Sequence, residues 1–113
     1  MINSVTEGLS LVKSVNHPNI KLLSDFYHMQ VEMEDMCGII EASKLLRHVH
    51  IANSNGRIYP GSMDEDNYNS FFKALKDADY KDRISIEAST GDFAKDAPVS
   101  LKFLREILKS YNL

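Results

Sequence analysis

The sequence predicts an α/β fold: one N-terminal helix followed by three strand-helix units on a parallel sheet. Three observations lead there. Short apolar runs alternate with segments of helical periodicity, each run is bounded by turn formers, and every connection between runs is too long for a hairpin. Alternation of this kind implies parallel strands joined by right-handed crossovers. The chain has 113 residues, 43% of them hydrophobic and 26% charged, which is ordinary for one globular domain, and positions 1–113 are read as a single domain.

The first helix lies in "SVTEGLSLVKSVNHP", where Ser4 and Glu7 have the spacing of a capping box, Leu9 and Val12 follow, and Asn16, His17 and Pro18 end it. "NIKLLSDFYHM" is then a buried strand ending near Asp25. "EDMCGIIEAS" opens with acidic residues and places Met36, Ile39 and Ile40 for a short helix, in spite of Gly38. Cys37 is read as part of that helix's packing.

"LLRHVHIA" is the second strand. After it, "NSNGRIYPGSMDEDN" is rich in turn formers and, at about fifteen residues, longer than ordinary connections, which marks it as functional. In "NYNSFFKALKDADY" the residues Tyr68, Phe71, Phe72 and Leu75 recur at helical spacing as an aromatic core stripe. "DRISIEAS" alternates Ile84 and Ile86 with Ser85 and Glu87 as a third strand. The last helix is read as starting at Asp96 and Pro98 and burying Leu101, Leu104, Leu108 and Tyr111.

Composition excludes several classes of function. With a formal net charge of -3 and scattered Lys and Arg, the chain has little to attract a phosphate backbone, so nucleic acid is not an expected partner. No apolar run reaches the roughly 18 residues that span a bilayer, and "MINSVTEG" has neither basic flank nor apolar stretch. A cytoplasmic protein is expected. A single cysteine forms no internal disulfide, which fits a reducing compartment.

Chemistry gathers at the strand ends. In parallel α/β units the C-terminal strand ends share one rim, where ligands bind. Asp25 closes the first strand, His50 the second and Glu87 the third. His48 and His50, two apart, share a face, with His48 one layer deeper. A divalent cation would satisfy all three rim groups, and mixed oxygen and imidazole donors suit Mn, Co, Mg or Zn. A rim of solvated polar residues is the other reading of the same pattern. His28, on the far side of Asp25, and Arg57, in the long loop, stand where they could hydrogen-bond a ligand over the rim.

"LLSDFYHM", "LLRHVHIANSNGRIYPG" and "RISIEAS" resemble three blocks of the xylose-isomerase-like TIM barrels, the sugar phosphate isomerase/epimerase group that includes ketose 3-epimerases and hydroxypyruvate isomerases. The resemblance covers nearly the whole chain. It implies a partial (β/α)8 barrel: the last three strand-helix units, preceded by the helix that follows the fifth strand, or roughly a half-barrel. It further implies Asp25, His50 and Glu87 as ligands of Mn, Co or Mg, His28 and Arg57 as groups holding substrate oxygens, and a sugar or sugar phosphate as substrate. The reaction implied is proton transfer next to a carbonyl through a cis-enediolate, with the metal polarising the substrate oxygens and Glu87 moving the proton.

The pattern departs from the family in two places. The separation of His50 and Arg57 is one residue longer than in ketose epimerases, which implies a different subgroup. The family's fourth ligand and second acid/base group, a Glu on the fifth strand, belongs upstream of the first helix, and a whole barrel takes about 250 residues. A missing acid or base typically lowers the rate about a hundred- to ten-thousand-fold, so the chain by itself is expected to turn over weakly or not at all. The open strand edges predict a homo-oligomer or a complex with an N-terminal half. Two other readings compete: a non-catalytic truncated half-barrel that self-associates, and a DNA-repair nuclease of the same fold, against which the acidic balance speaks.

Overall fold

Ser4 starts the first helix as its spacing predicts: its hydroxyl accepts from the Glu7 amide at 3.1 Å. The Glu7 carboxylate closes the box one residue further out, on the Asn3 amide at 2.9 Å. In the computed structural model, which describes residues 1–63 and 65–113, this helix α1 runs Val5–Val15. Strand β1 follows at Leu22–Asp25, then helices α2 (Phe26–Val31) and α3 (Cys37–Ala42), strand β2 (Leu46–Ile51), helix α4 (Tyr68–Asp77), strand β3 (Arg83–Ile86) and helix α5 (Phe93–Ser110). The strands form one parallel sheet in the order β1-β2-β3.

Side chains alternate across the sheet, and the helices cover one face only. Leu22, Leu46, Val49 and Ile51 belong to the core together with Phe26 and Met29 of α2, Ile39 of α3 and the expected α4 stripe of Tyr68, Phe71, Phe72 and Leu75. Phe26 is the hinge of that core, with its ring 5.2 Å from Tyr68 and 4.7 Å from Phe71. The opposite face, carrying Leu23, His48, His50, Arg83 and Ser85, is exposed or half-buried. One irregularity sets this division. Leu22 pairs with Leu46, but the next residue, Leu23, pairs with His48, so Arg47 bulges out of the ladder. The bulge lets Leu46 and Val49 share the covered face while His48 and His50 share the open one.

Strand β1 ends at Asp25, as its sequence reading expects, and the residues after it form helix α2, which that reading does not include, because Phe26 and Met29 bury themselves at helical spacing. Two expectations are corrected. The last helix starts at Phe93, three residues before Asp96: Asp92 caps it by accepting from the Lys95 amide, and Pro98 lies inside it rather than at its start. Leu101 is exposed, and the buried face of this helix is Ser100, Leu104 and Ile107. Cys37 is exposed at the start of α3 rather than packed. Its neighbour Gly38 makes the packing: a Cβ there would stand 3.1 Å from Val5, so the glycine is what allows α3 to lie against α1.

The long loop, described except at Asp64, is tied down at both ends. The Ser54 amide donates to Asp66 at 2.7 Å, and the Ser100 hydroxyl of α5 donates to the Pro60 carbonyl. Among the described residues no helix is long and apolar enough to cross a membrane.

Two outcomes test this packing. Phe26→Ala removes the ring shared by Tyr68 and Phe71 and is expected to cost about 3–5 kcal/mol, read as a lower urea midpoint with an unchanged slope. Burial pushes the Tyr80 phenol from 10.0 up to about 12. Since the neutral form is favoured in the fold, stability is intact below about pH 10 and falls as pH rises toward 12. Tyr80→Phe is expected to flatten that alkaline loss in a series of denaturation curves across the window.

Candidate metal centre

Asp25 is the last residue of β1 and the first of the α2 turn, and its two carboxylate oxygens divide their work. Oδ1 accepts from the Tyr27 amide at 3.0 Å, capping α2. That bond fixes the side chain so that Oδ2 faces the rim, 4.0 Å from His50 Nδ1. Register brings the two residues together, because Asp25 is the direct partner of His50 across the β1–β2 ladder.

Glu87 arrives one residue beyond β3, its amide continuing the ladder to the Ile51 carbonyl at 3.1 Å. Its Oε2 lies 3.4 Å from His50 Nδ1. Asp25, His50 and Glu87 thus each offer one ligand atom, and these atoms all lie within 4.8 Å of one another. Two carboxylates and an imidazole nitrogen in this arrangement form a group that could hold a divalent ion, and hard or borderline metals suit the donor set.

Arg57 enters the same point from the long loop. Its Nη2 donates to Glu87 Oε2 and stands 3.6 Å from Asp25 Oδ2. The bond from Arg57, helped by the nearby charges of His50 and Arg57 and opposed by partial burial, holds the Glu87 carboxyl below the usual carboxylate range. The loop can deliver this side chain because it turns sharply. The Asn53 amide donates to the Ile58 carbonyl at 2.9 Å, and Gly56 and Arg57 both adopt left-handed φ of 82° and 53°. Gly56 takes that conformation freely, whereas at Arg57 the Cβ makes it costly. The Ser89 amide, donating to the Arg57 carbonyl at 2.8 Å, locks it in place.

The remaining expected site residues fall nearby. His28 Nε2 is 3.8 Å from Asp25 Oδ2, with an exposed ring. His48 lies beneath His50, ring edge to ring face at 5.1 Å, and pairs through Nε2 with the Ser85 hydroxyl at 3.0 Å. Sequence reasoning missed Tyr27. The Arg57 guanidinium sits over its ring, 4.9 Å from the centroid. An aromatic residue two positions past a rim carboxylate was the available signal, but a reading that ends the strand near Asp25 and places no helix after it gives that residue no role.

The xylose isomerase-like TIM barrel description matches residues 1–107. The chain belongs to the xylose isomerase-like TIM barrel family. Its three parallel strands are therefore part of a barrel, with the cluster at the C-terminal strand ends where such barrels build their sites. Over 94 residues, 81% of this chain, it is 38% identical to an L-ribulose 3-epimerase of Methylomonas sp. (strain DH-1), of which it covers 32%. A probable ketose 3-epimerase of Synechocystis sp. is 36% identical over 77% of the chain and is covered to 30%. The crystal structure of a D-allulose 3-epimerase from Methylomonas sp. superposes with a TM-score of 0.85 at 30% identity, over 95% of this chain and 44% of that one. The chain thus spans about a third of the length of the curated relatives it matches.

The double duty of Asp25 separates two effects. Asp25→Asn keeps a capping oxygen and is expected to leave stability nearly unchanged, whereas Asp25→Ala loses the cap and is expected to cost about 1 kcal/mol. Paired urea titrations of the two variants measure the difference.

Proposed function

We propose that this chain is the metal-binding portion of a sugar or sugar phosphate isomerase/epimerase that moves a proton next to a carbonyl. The convergence of Asp25, His50 and Glu87 on one point carries the reading, together with relatives whose names are those of ketose epimerases. A divalent ion, Mn, Co or Mg with Zn as a further fit, would be held by Asp25 Oδ2, His50 Nδ1 and Glu87 Oε2, and when bound it would supply positive charge to the substrate's oxygens.

The residues of the chain divide the remaining tasks. Glu87, half-exposed and with a lowered pKa, is ionised at neutral pH and would take the proton from a carbon held above the rim. His28 and Arg57, on either side of Asp25, present donors to sugar hydroxyl or carbonyl oxygens. Inversion at carbon needs an acid on the opposite face of the substrate as well. Among the described residues, the cluster offers no second carboxylate placed for that role. The chain alone is accordingly the site of proton removal without efficient inversion, and a partner that continues the barrel, or a second copy pairing at the open β1 edge, completes the enclosure. A cytoplasmic location accompanies this reading.

A single experiment tests it. The chain is incubated with Mn and a ketose such as D-allulose in D2O, and NMR follows the carbon-bound hydrogen beside the carbonyl. The expected result is slow exchange of that hydrogen for deuterium with little epimer formed, abolished by Glu87→Gln. Absence of Mn binding in calorimetry, or exchange that survives Glu87→Gln, would favour a non-catalytic half-barrel instead. Light scattering on the same sample reports association, expected as a mass above that of one chain.

A further inference from the structure

The point at which the three ligand atoms meet is held by Arg57. The oxygens engaged by its Nη2, Asp25 Oδ2 and Glu87 Oε2, are the same two that face His50 Nδ1. An ion bound by that trio would lie about 2.0–2.2 Å from each donor. A guanidinium nitrogen paired with the same two oxygens competes with that ion for them, and two cations brought to one cluster repel. The position of Arg57 is also built rather than incidental. Its backbone is pinned to Ser89, its neighbour Ile58 bridges to Ser89, and its guanidinium rests on Tyr27. The turn whose Tyr27 amide orients Asp25 also supplies the ring on which Arg57 lies.

We propose that Arg57 is the internal counter-ion of the candidate metal site, competing with the divalent ion for Asp25 and Glu87, so that metal entry frees Arg57 to engage the sugar. The proposal rests on the metal-binding reading above. It assigns an order to assembly: carboxylates paired to arginine first, ion second, sugar third. In the unloaded state Arg57 prevents two carboxylates from facing each other without a cation, and it remains above Tyr27 after release, close to where substrate oxygens would lie. Tyr27 is thereby a positioning residue, acting through Arg57.

Calorimetric titration with MnCl2 at constant ionic strength compares the wild-type chain, Arg57→Met and Tyr27→Leu. Removing the competing charge is expected to tighten Mn binding about two- to fivefold in Arg57→Met, the range for a partly solvated pairing partner. Tyr27→Leu is expected to tighten it less. Equal or weaker binding in Arg57→Met, with wild type still binding, overturns the competition and leaves the metal reading standing. Absence of binding in all three proteins overturns both. Wild-type chain treated with phenylglyoxal gives a second readout that needs no variant: modification at Arg57, followed by peptide mass analysis, is expected to speed up several-fold when Mn is added. A rate unchanged by Mn overturns the proposal even if Arg57→Met does not fold.

Discussion

Parallel pairing in a fixed register is the constraint on which the rest of this structure depends. Antiparallel neighbours would send alternate strand ends to opposite rims, whereas β1, β2 and β3 all end on the same one. Direction alone is not enough, because a slip of one residue turns a strand's side chains to the other face. Asp25 stands opposite His50, and His50 opposite Ser85, which puts Glu87 one pleat repeat further along the face that carries the imidazole. The bulge at Arg47 makes this compatible with the core. Without an extra residue there, Leu46 and His50 would lie on one face, and either a leucine would leave the core or the histidines would enter it. The exposed Arg47 instead takes the bulge and pairs with Asp82 at 3.4 Å.

Bringing two carboxylates and an imidazole together has an electrostatic cost that must be met locally. The long loop meets it by carrying a permanent positive charge to the rim. That delivery requires the loop to be shaped, and its internal bonds are numerous: the turn from Asn53 to Ile58, the Ser54–Asp66 pair, and the Pro60 carbonyl held by Ser100 of α5. A connection of this length without such ties would leave Arg57 free in solvent, where an ion pair with Glu87 adds little. The cation–π contact with Tyr27 gives the guanidinium a second fixed surface. Structure in the loop and chemistry at the rim are thus one arrangement, with Ser89 of the β3 extension serving both.

Much of this was legible in the chain. The aromatic stripe of α4 announced the core because four large residues at helical spacing have nowhere else to go, and all four are fully buried. The rim residues were legible because each ends an apolar run. Misreadings arose where two local patterns overlapped. Phe26 and Met29 extend the apolar run of β1, so the switch from a period of two to one of 3.6 was masked by hydrophobicity common to both. At α5, the Asp96 and Pro98 pattern looked like a start, while the cap in use is Asp92, whose side chain reaches the Lys95 amide. Gly38 looked like a weakness in α3 and is a contact surface for Val5.

The sequence by itself determined the order of the three strands and of the main helices, the aromatic stripe of the core and the identity of the three rim groups, because hydrophobic periodicity and strand-end chemistry are local properties written in consecutive residues. Tertiary structure alone decided that Asp25, His50 and Glu87 converge, that Arg57 joins them, and that Tyr27 supports it. Those outcomes depend on distances between segments tens of residues apart. Such distances follow from strand register, a single bulge and the pinning of one loop, and no local pattern encodes them.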